Sequence, residues 1–241
     1  GPGGRAAGTV THTQAPLRAI LLPSYRWNPY QRLLAAALVE QGIEAVPVHE
    51  WSKRAPLLGT WWSQDRPDVV HVHWIHEFLG GSKGTPSSRS VRWFEWQLRI
   101  LKARGVRVIW TVHNLKGHEA SGVDTNDAAA HRAIIEYADA IILHCDYARD
   151  ALIELYQPSA EARSRMHVLA HGSYVQQYDV DADQLATRRT LGLPDAGTVF
   201  AFVGSIRGYK NVGELLDAFM SVEELEPNDR LLISGKPLPK K

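Results

Sequence analysis

The densest run of chemistry-bearing residues is the stretch VGSIRGYKN, positions 203 to 211. An apolar run, Thr198 to Val203, enters a turn that holds Gly204, Ser205, Arg207, Gly208, Lys210 and Asn211. A helical pattern follows at once, with Val212, Leu215, Leu216 and Phe219 on one stripe. Asn211 is a favoured N-cap residue, and Glu214 three places on gives the pattern of a capping box. Such a turn presents backbone N–H groups and a positive helix end to an anion. Arg207 adds a planar fork and Lys210 a compact charge, both suited to phosphate oxygens. A solvated turn with incidental basic residues accounts for the same letters.

Other candidates sit earlier in the chain. His113 follows the run VRVIWTV, at the carboxyl end of a strand, where open α/β sheets bind ligands. The alternative for it is a capping or buried structural role. Asn114, Lys116, His118 and Glu119 continue that loop as hydroxyl contacts. The stretch HVHWIHE (71 to 77) raises a zinc reading, since His71 and His73 share one face of a strand. A catalytic zinc needs three converging protein ligands, and His76 and Glu77 lie beyond the strand end. His73 and Trp74 are therefore read as lining a cleft, with His71 packed beneath a helix. Along SSRSVRWFEWQLRILKAR (87 to 104), Val91, Phe94, Leu98 and Leu101 form a core stripe. Trp93, Trp96 and Ile100 project elsewhere, flanked by Arg89, Arg92, Arg99 and Arg104. Basic residues beside exposed tryptophans suit an anionic membrane surface, and equally a packed interdomain or dimer face.

The elements that must position these residues alternate strand and helix. Apolar runs at 18–22, 44–48, 68–74, 106–112, 138–145 and 166–170 read as strands, the second near an edge because of Pro47. A helical stretch carrying Leu33, Leu34, Ala37 and Leu38 follows Asn28-Pro29 and ends at Gln41-Gly42, and further helical patterns lie at about 87–104, 126–137 and 145–156. Near-continuous apolar strands between amphipathic helices imply an α/β fold with a parallel sheet covered on both faces. Residues 173–195 are polar and read as a connector with one short helix. The pattern restarts at 196 and has room for only one further βαβ unit, which takes about 30 residues. A truncated second domain is the expectation, with its open edge leaning on the first domain or on another chain.

Composition narrows the field. The 241 residues are 44% hydrophobic and 22% charged, with a net charge of +1, so any anion site is local and nucleic acid is not expected as a partner. One cysteine, Cys145, excludes an intrachain disulfide framework and a cysteine-based zinc site, and fits a reducing compartment. No apolar run reaches the ~18 residues that a membrane span needs. Gly1-Pro2-Gly3-Gly4 reads as a protease scar and linker, so residues 1–15 are expected to be disordered and outside the fold.

FVGSIRGYKNVGELLDAF resembles the signature that opens the C-terminal domain of GT-B glycosyltransferases of family 4. PDVVHVHW, VIWTVHNL, ADAIILHC and VLAHGSY resemble successive strand ends of that family's N-terminal domain. The resemblance covers roughly residues 17 to 235. It implies a GT-B-like architecture: an acceptor-side Rossmann-like domain (16–172), the connector, and the start (196–241) of a nucleotide-sugar-binding domain. It puts Lys210 on the family's phosphate-binding lysine. Ser205 replaces the usual arginine, a role that falls to Arg207. The donor diphosphate would lie on Gly204, Ser205, Arg207, Lys210 and Asn211, while His113 would face the transferred sugar. PSYRWNPY (23 to 30) replaces the Gly-Gly common after the family's first strand. Ser24, Tyr25, Arg26 and Trp27 are its acceptor candidates, with His73, Trp74, Asn114 and His118, and plain loop packing is the alternative.

The resemblance thus implies a retaining transferase that moves a sugar from a nucleotide-sugar to a hydroxyl of a glycan or lipid-linked acceptor, in exopolysaccharide-type synthesis. His113, Arg207 and Lys210 would carry catalysis, without a cofactor or an active-site metal. The setting expected is cytoplasmic, peripheral on the inner face of the membrane, with Arg89, Arg92, Trp93, Trp96 and Arg99 facing the lipid. The family's paired glutamates would fall beyond Lys241, so this chain is expected to bind donor weakly or to be inactive. Two rivals remain open. One is a non-catalytic carbohydrate- or membrane-binding module. The other is a sugar-nucleotide epimerase of the same shape, for which Glu119 and Asp124 would be the carboxylates.

Overall fold

The computed structural model describes residues 15–63, 66–80, 86–116, 125–178 and 181–237. His118, Glu119, Asp124 and the N-terminal residues 1–14 lie outside the described residues. The described chain forms two compact units that divide between Gln177 and Tyr178.

The first unit contains strands β1 (Arg18–Leu22), β2 (Glu44–Pro47), β3 (Val69–Val72), β4 (Arg107–Thr111), β5 (Ala140–Leu143) and β6 (Met166–Val168). Between them run helices α1 (Pro29–Glu40), α2 (Leu58–Ser63), α3 (Ser88–Ala103), α4 (Thr125–Tyr137), α5 (Asp146–Tyr156) and α6 (Ala160–Ser164). All six strands are parallel, in the order β2-β1-β3-β4-β5-β6. Pro47 does lie on the edge strand, where its missing N–H interrupts no ladder.

Strand alternation divides the burial. Ile20 and Leu22 join Val70, Val72, Val108, Trp110, Ile141 and Leu143 in the main core, while Ala19 and Leu21 pack on the other face with Ala35 of α1. The main core receives Val91, Phe94, Leu98 and Leu101 from α3, as the helical spacing requires. Ile100, expected beside the tryptophans, is instead partly buried against that core. The chain caps these helices with its own side chains. Asn28 accepts from Tyr30 N ahead of Pro29 at the first helical position, and Ser87 and Ser90 form a reciprocal capping box.

The second unit contains α7 (Gln184–Thr190), β7 (Val199–Val203), α8 (Val212–Ser221) and β8 (Arg230–Ser234). β7 and β8 are parallel, with Val199 opposite Arg230 and Val203 opposite Ser234. Their carboxyl ends meet at two glycines. Gly204 has φ of 145°, and a Cβ on Gly235 would fall 1.7 Å from the Gly204 carbonyl oxygen, so neither position accepts a side chain.

Candidate functional site

A parallel sheet brings every strand's carboxyl end to one edge, and here the residues just past those ends carry rings. β1 leads to Ser24 and Tyr25, β3 to His73 and Trp74, β4 to His113, β5 to His144 and β6 to His171. Tyr30, in the first turn of α1, packs against all four histidines. Its ring centroid lies 5.6 Å from that of His73, 5.0 Å from His113, 5.7 Å from His144 and 5.1 Å from His171. Trp74 stacks on His113 at 4.4 Å and tilts against Tyr25 at 5.1 Å. Trp27, 79% exposed, stacks on the outer side of Tyr25 at 5.3 Å. An aromatic path therefore runs from solvent at Trp27 to the buried histidines.

Polar contacts fix the rings. Tyr25 Oη donates to Glu77 Oε1 at 2.7 Å, and burial with that carboxylate pushes its phenol well above the usual range. His71 Nε2 lies 2.8 Å from Thr111 Oγ1, and the ring of His71 stacks on His73 at 4.4 Å. His73 Nδ1 lies 3.0 Å from His113 Nε2. Burial lowers the pKa of His71 to about 4 and that of His113 to about 3, and the neighbouring imidazoles press His113 down further. Burial likewise holds His73 well below the ordinary imidazole range. At neutral pH these three rings are uncharged hydrogen-bonding groups, unable to serve as cations for phosphate.

The other residues expected at this edge are placed less centrally. Ser24 is buried, and its N–H donates to Val48 O at 2.9 Å. Arg26 is exposed. Asn114 and Lys116 line a small pocket with His73, Trp74, Trp110, Asp127 and His131. Among the described residues no group of three or more His, Cys, Asp or Glu is disposed to hold a metal ion. Tyr30, His144, His171 and Glu77 are the site's members that the spacing of motifs missed. The signal for two of them was visible, since His144 stands next to last in the run ADAIILHC and His171 directly follows the run at 166–170.

In the second unit the turn after β7 keeps Gly204, Ser205, Arg207, Lys210 and Asn211 within one loop, of which Gly208–Lys210 forms a single 3₁₀ turn. Neither Arg207 nor Lys210 is paired with a carboxylate among the described residues, and Lys210 Nζ lies 5.5 Å over the Tyr209 ring. The capping expectation needs correcting. Asn211 occupies the N-cap position, but with φ 51° and ψ 36°, and its side chain caps nothing. The 3₁₀ turn ends on the same residue and sets it left-handed, a conformation that asparagine tolerates. The first N–H groups of α8 therefore have no side-chain cap from Asn211.

On α3, Trp93 and Trp96 are 41% and 44% exposed and stack on each other at 4.7 Å. Arg89, Arg92 and Arg99 are exposed on the same helix. Trp93 Nε1 donates to Arg54 O at 2.6 Å, and buried Gln97 accepts from Leu57 N at 3.1 Å, so the helix also holds the loop before α2.

No family model matches the chain. Among curated proteins it is 26% identical over 184 residues to the D-inositol 3-phosphate glycosyltransferase of Corynebacterium diphtheriae, and 27% identical over 177 residues to that of Mycobacterium sp. strain JLS. These matches take in 71% and 70% of the chain but only 38% and 35% of the relatives, so the chain spans little more than a third of their length. Among solved structures, Anabaena HepE in complex with UDP-glucose matches with a TM-score of 0.57 at 15% identity, over 90% of this chain and 59% of that one. The chain is similar to glycosyltransferases in sequence and GT-B-like in fold. For a GT-B-like chain the ring-lined edge occupies the first, Rossmann-like unit, and the Gly-Arg-Lys turn lies in the second.

Proposed function

We propose that the chain is the acceptor-side domain and the opening βαβ unit of the donor-side domain of a retaining glycosyltransferase, acting on a nucleotide-sugar and a hydroxyl acceptor. The observation that carries this reading is the crest of rings past the carboxyl ends of β3 to β6, where a sugar can stack on aromatic faces and hydrogen-bond to the uncharged imidazoles of His73 and His113. The similarity to transferases supplies the reaction class. As the bond to the diphosphate breaks, negative charge builds on the leaving group. Arg207, Lys210 and the uncapped start of α8 are the groups suited to stabilise it. His113, Trp74 and Tyr30 would hold sugar and acceptor in reacting geometry. Among the described residues no helix is long and apolar enough to cross a membrane.

The test is a panel of nucleotide-sugars assayed with the whole protein for nucleoside diphosphate release, with and without hydroxyl acceptors. Acceptor-dependent release is expected. A protein that releases no diphosphate and binds no nucleotide-sugar would sink the reading. A second proposal concerns the acceptor's setting, and the stacked Trp93–Trp96 pair among exposed arginines supports it. In it, α3 rests on an anionic membrane surface at the cytoplasmic side, where a lipid-linked acceptor would be met.

A further inference from the structure

The four crest histidines do not have equal freedom in where they carry their single proton. His144 Nδ1 lies 2.9 Å from Leu169 O, and His171 Nδ1 lies 2.7 Å from Gly172 O. A carbonyl only accepts, so both rings carry their proton on Nδ1. The Nε2 of His171 then accepts from Tyr174 Oη at 3.2 Å. His73 and His113 share no such main-chain anchor. They face each other, Nδ1 to Nε2, at 3.0 Å, so one ring must donate and the other accept.

His73 decides which. It is 1% exposed, and its Nε2 has no hydrogen-bond partner among the described residues. If His113 donated from Nε2, the proton of His73 would sit on its own Nε2, a buried N–H with nothing to receive it. Orphaned buried N–H groups are rarer in folded proteins than unfilled acceptors. If His73 donates from Nδ1, its Nε2 keeps only a lone pair, and the contact with His113 is a proper hydrogen bond. His113 must then carry its proton on Nδ1, the ring atom for which the described residues supply no partner.

We propose that His73 is a positioning residue that holds the neutral His113 ring in its Nδ1–H form, so that the crest offers a hydrogen-bond donor to a ligand oxygen. The ligand half of this inference rests on the glycosyltransferase reading, and the tautomer half does not. The chemistry it implies is specific. His113 would bind the lone pair of a sugar hydroxyl or ring oxygen and would not take a proton from the acceptor.

The experiment is ¹⁵N NMR of the 241-residue chain labelled at histidine, at neutral pH, with the His113 ring signals identified by their loss in His113→Gln. The expected spectrum shows a protonated, pyrrole-type Nδ1 and an unprotonated, pyridine-type Nε2 for His113. The opposite pattern overturns the proposal. His73→Phe removes the donor, and His113 should then move to a mixture of both forms. His73→Asn restores an N–H near the place of Nδ1 and should return His113 to the Nδ1–H form. An unchanged His113 signal in folded His73→Phe would show that something other than His73 sets the tautomer. Should that variant not fold, the parent spectrum and His73→Asn decide. A chain that shows Nδ1–H at His113 in a protein with no transferase activity keeps the positioning role and removes only the sugar as its ligand.

Discussion

The two units use the same α/β grammar with opposite results. In the first, Ile20, Leu22, Phe94, Leu98, Trp110 and Ile141 are at most 1% exposed. In the second, no described residue is buried, and Phe200, Leu216 and Met220 are 46%, 46% and 74% exposed. A parallel sheet needs both faces covered. Six strands with helices between them meet that requirement, whereas two strands with α8 do not. Polar ties hold the second unit in its place: Asp229 accepts from Thr198 N at 2.7 Å, and Arg189 pairs with Asp195 at 2.9 Å. Solvent screens such exposed contacts, so they stabilise far less than burial does. Burial makes the first unit a rigid frame for its rings, and the turn of the second rests on far weaker support.

The largest expected effect tests that contrast in stability. Phe94→Ala should destabilise the first unit by about 3–5 kcal/mol, the usual cost of removing a fully buried aromatic. Leu216→Ala in the second should cost below about 1 kcal/mol, because the side chain is already half in water. Urea unfolding of both variants gives the numbers. Equal costs would mean that Leu216 is buried in solution.

Acid separates the units next. His71 and His113 are held neutral in the fold, with pKa values of about 4 and about 3 against an unfolded value of 6.5. Between pH 6.5 and about 4 the unfolded chain binds more protons than the folded one. Stability of the first unit is therefore full above 6.5, falls as pH drops, and levels off below the folded pKa values. Each ring contributes about 1.4 kcal/mol per pH unit in that window. The second unit has no histidine. Its perturbed carboxylates, Asp195 and Asp229, are pulled below the usual value by hydrogen bonds, so their contribution is lost only at lower pH. Unfolding at pH 6.5, 5.5 and 4.5 should show a falling urea midpoint for the first unit, with a shallower fall in His71→Gln. A flat profile would place these rings in water.

Much of this architecture was readable from the chain. Apolar runs located the strands and Pro47 marked the edge, because burial on both faces leaves a run with few polar residues. Helices α2 and α6, at six and five residues, are too short to show a period. The site was legible only in part. Trp74 and His113 stand at strand ends, but the gathering of His144, His171 and Tyr30 around them joins positions 30 to 171. Topology creates that convergence and local spacing cannot show it. Gln97 illustrates the same limit, since a polar residue in a buried stripe makes sense only once the backbone of Leu57 lies against it. At Asn211 the local pattern was present and the preceding 3₁₀ turn overrode it.

Ligand binding sharpens the comparison on the side of the weaker unit. If the turn at Arg207 and Lys210 receives a diphosphate, Lys210→Ala should weaken UDP binding about tenfold or more, since a charge-assisted bond is worth about 1.5–3 kcal/mol. Calorimetry or fluorescence titration reads the change. The loss should shrink at high salt, because Lys210 is exposed. His113→Ala should leave UDP affinity nearly unchanged, as the first unit's crest is proposed to hold sugar and acceptor. Unaltered binding in Lys210→Ala would remove the turn from the mechanism.

The smallest effect concerns the outer surface of the better-packed unit. Trp93 and Trp96 are exposed although the helix that carries them is anchored along Val91, Phe94, Leu98 and Leu101. Trp93 Nε1 ties the helix to Arg54 O, but the exposed faces of the stacked pair add no further core contact, so we propose that a covering surface gives them a second use. If that is an anionic membrane, Arg99→Ala should lower partition onto phosphatidylglycerol vesicles about fivefold, the equivalent of ~1 kcal/mol per basic residue at the surface. Neutral vesicles should bind parent and variant alike, and only weakly. Arg99 is exposed and outside the core stripe, so stability should change by less than about 0.5 kcal/mol, leaving sedimentation with vesicles as a clean readout. Equal sedimentation of parent and variant on anionic vesicles would turn the aromatic face over to a protein partner.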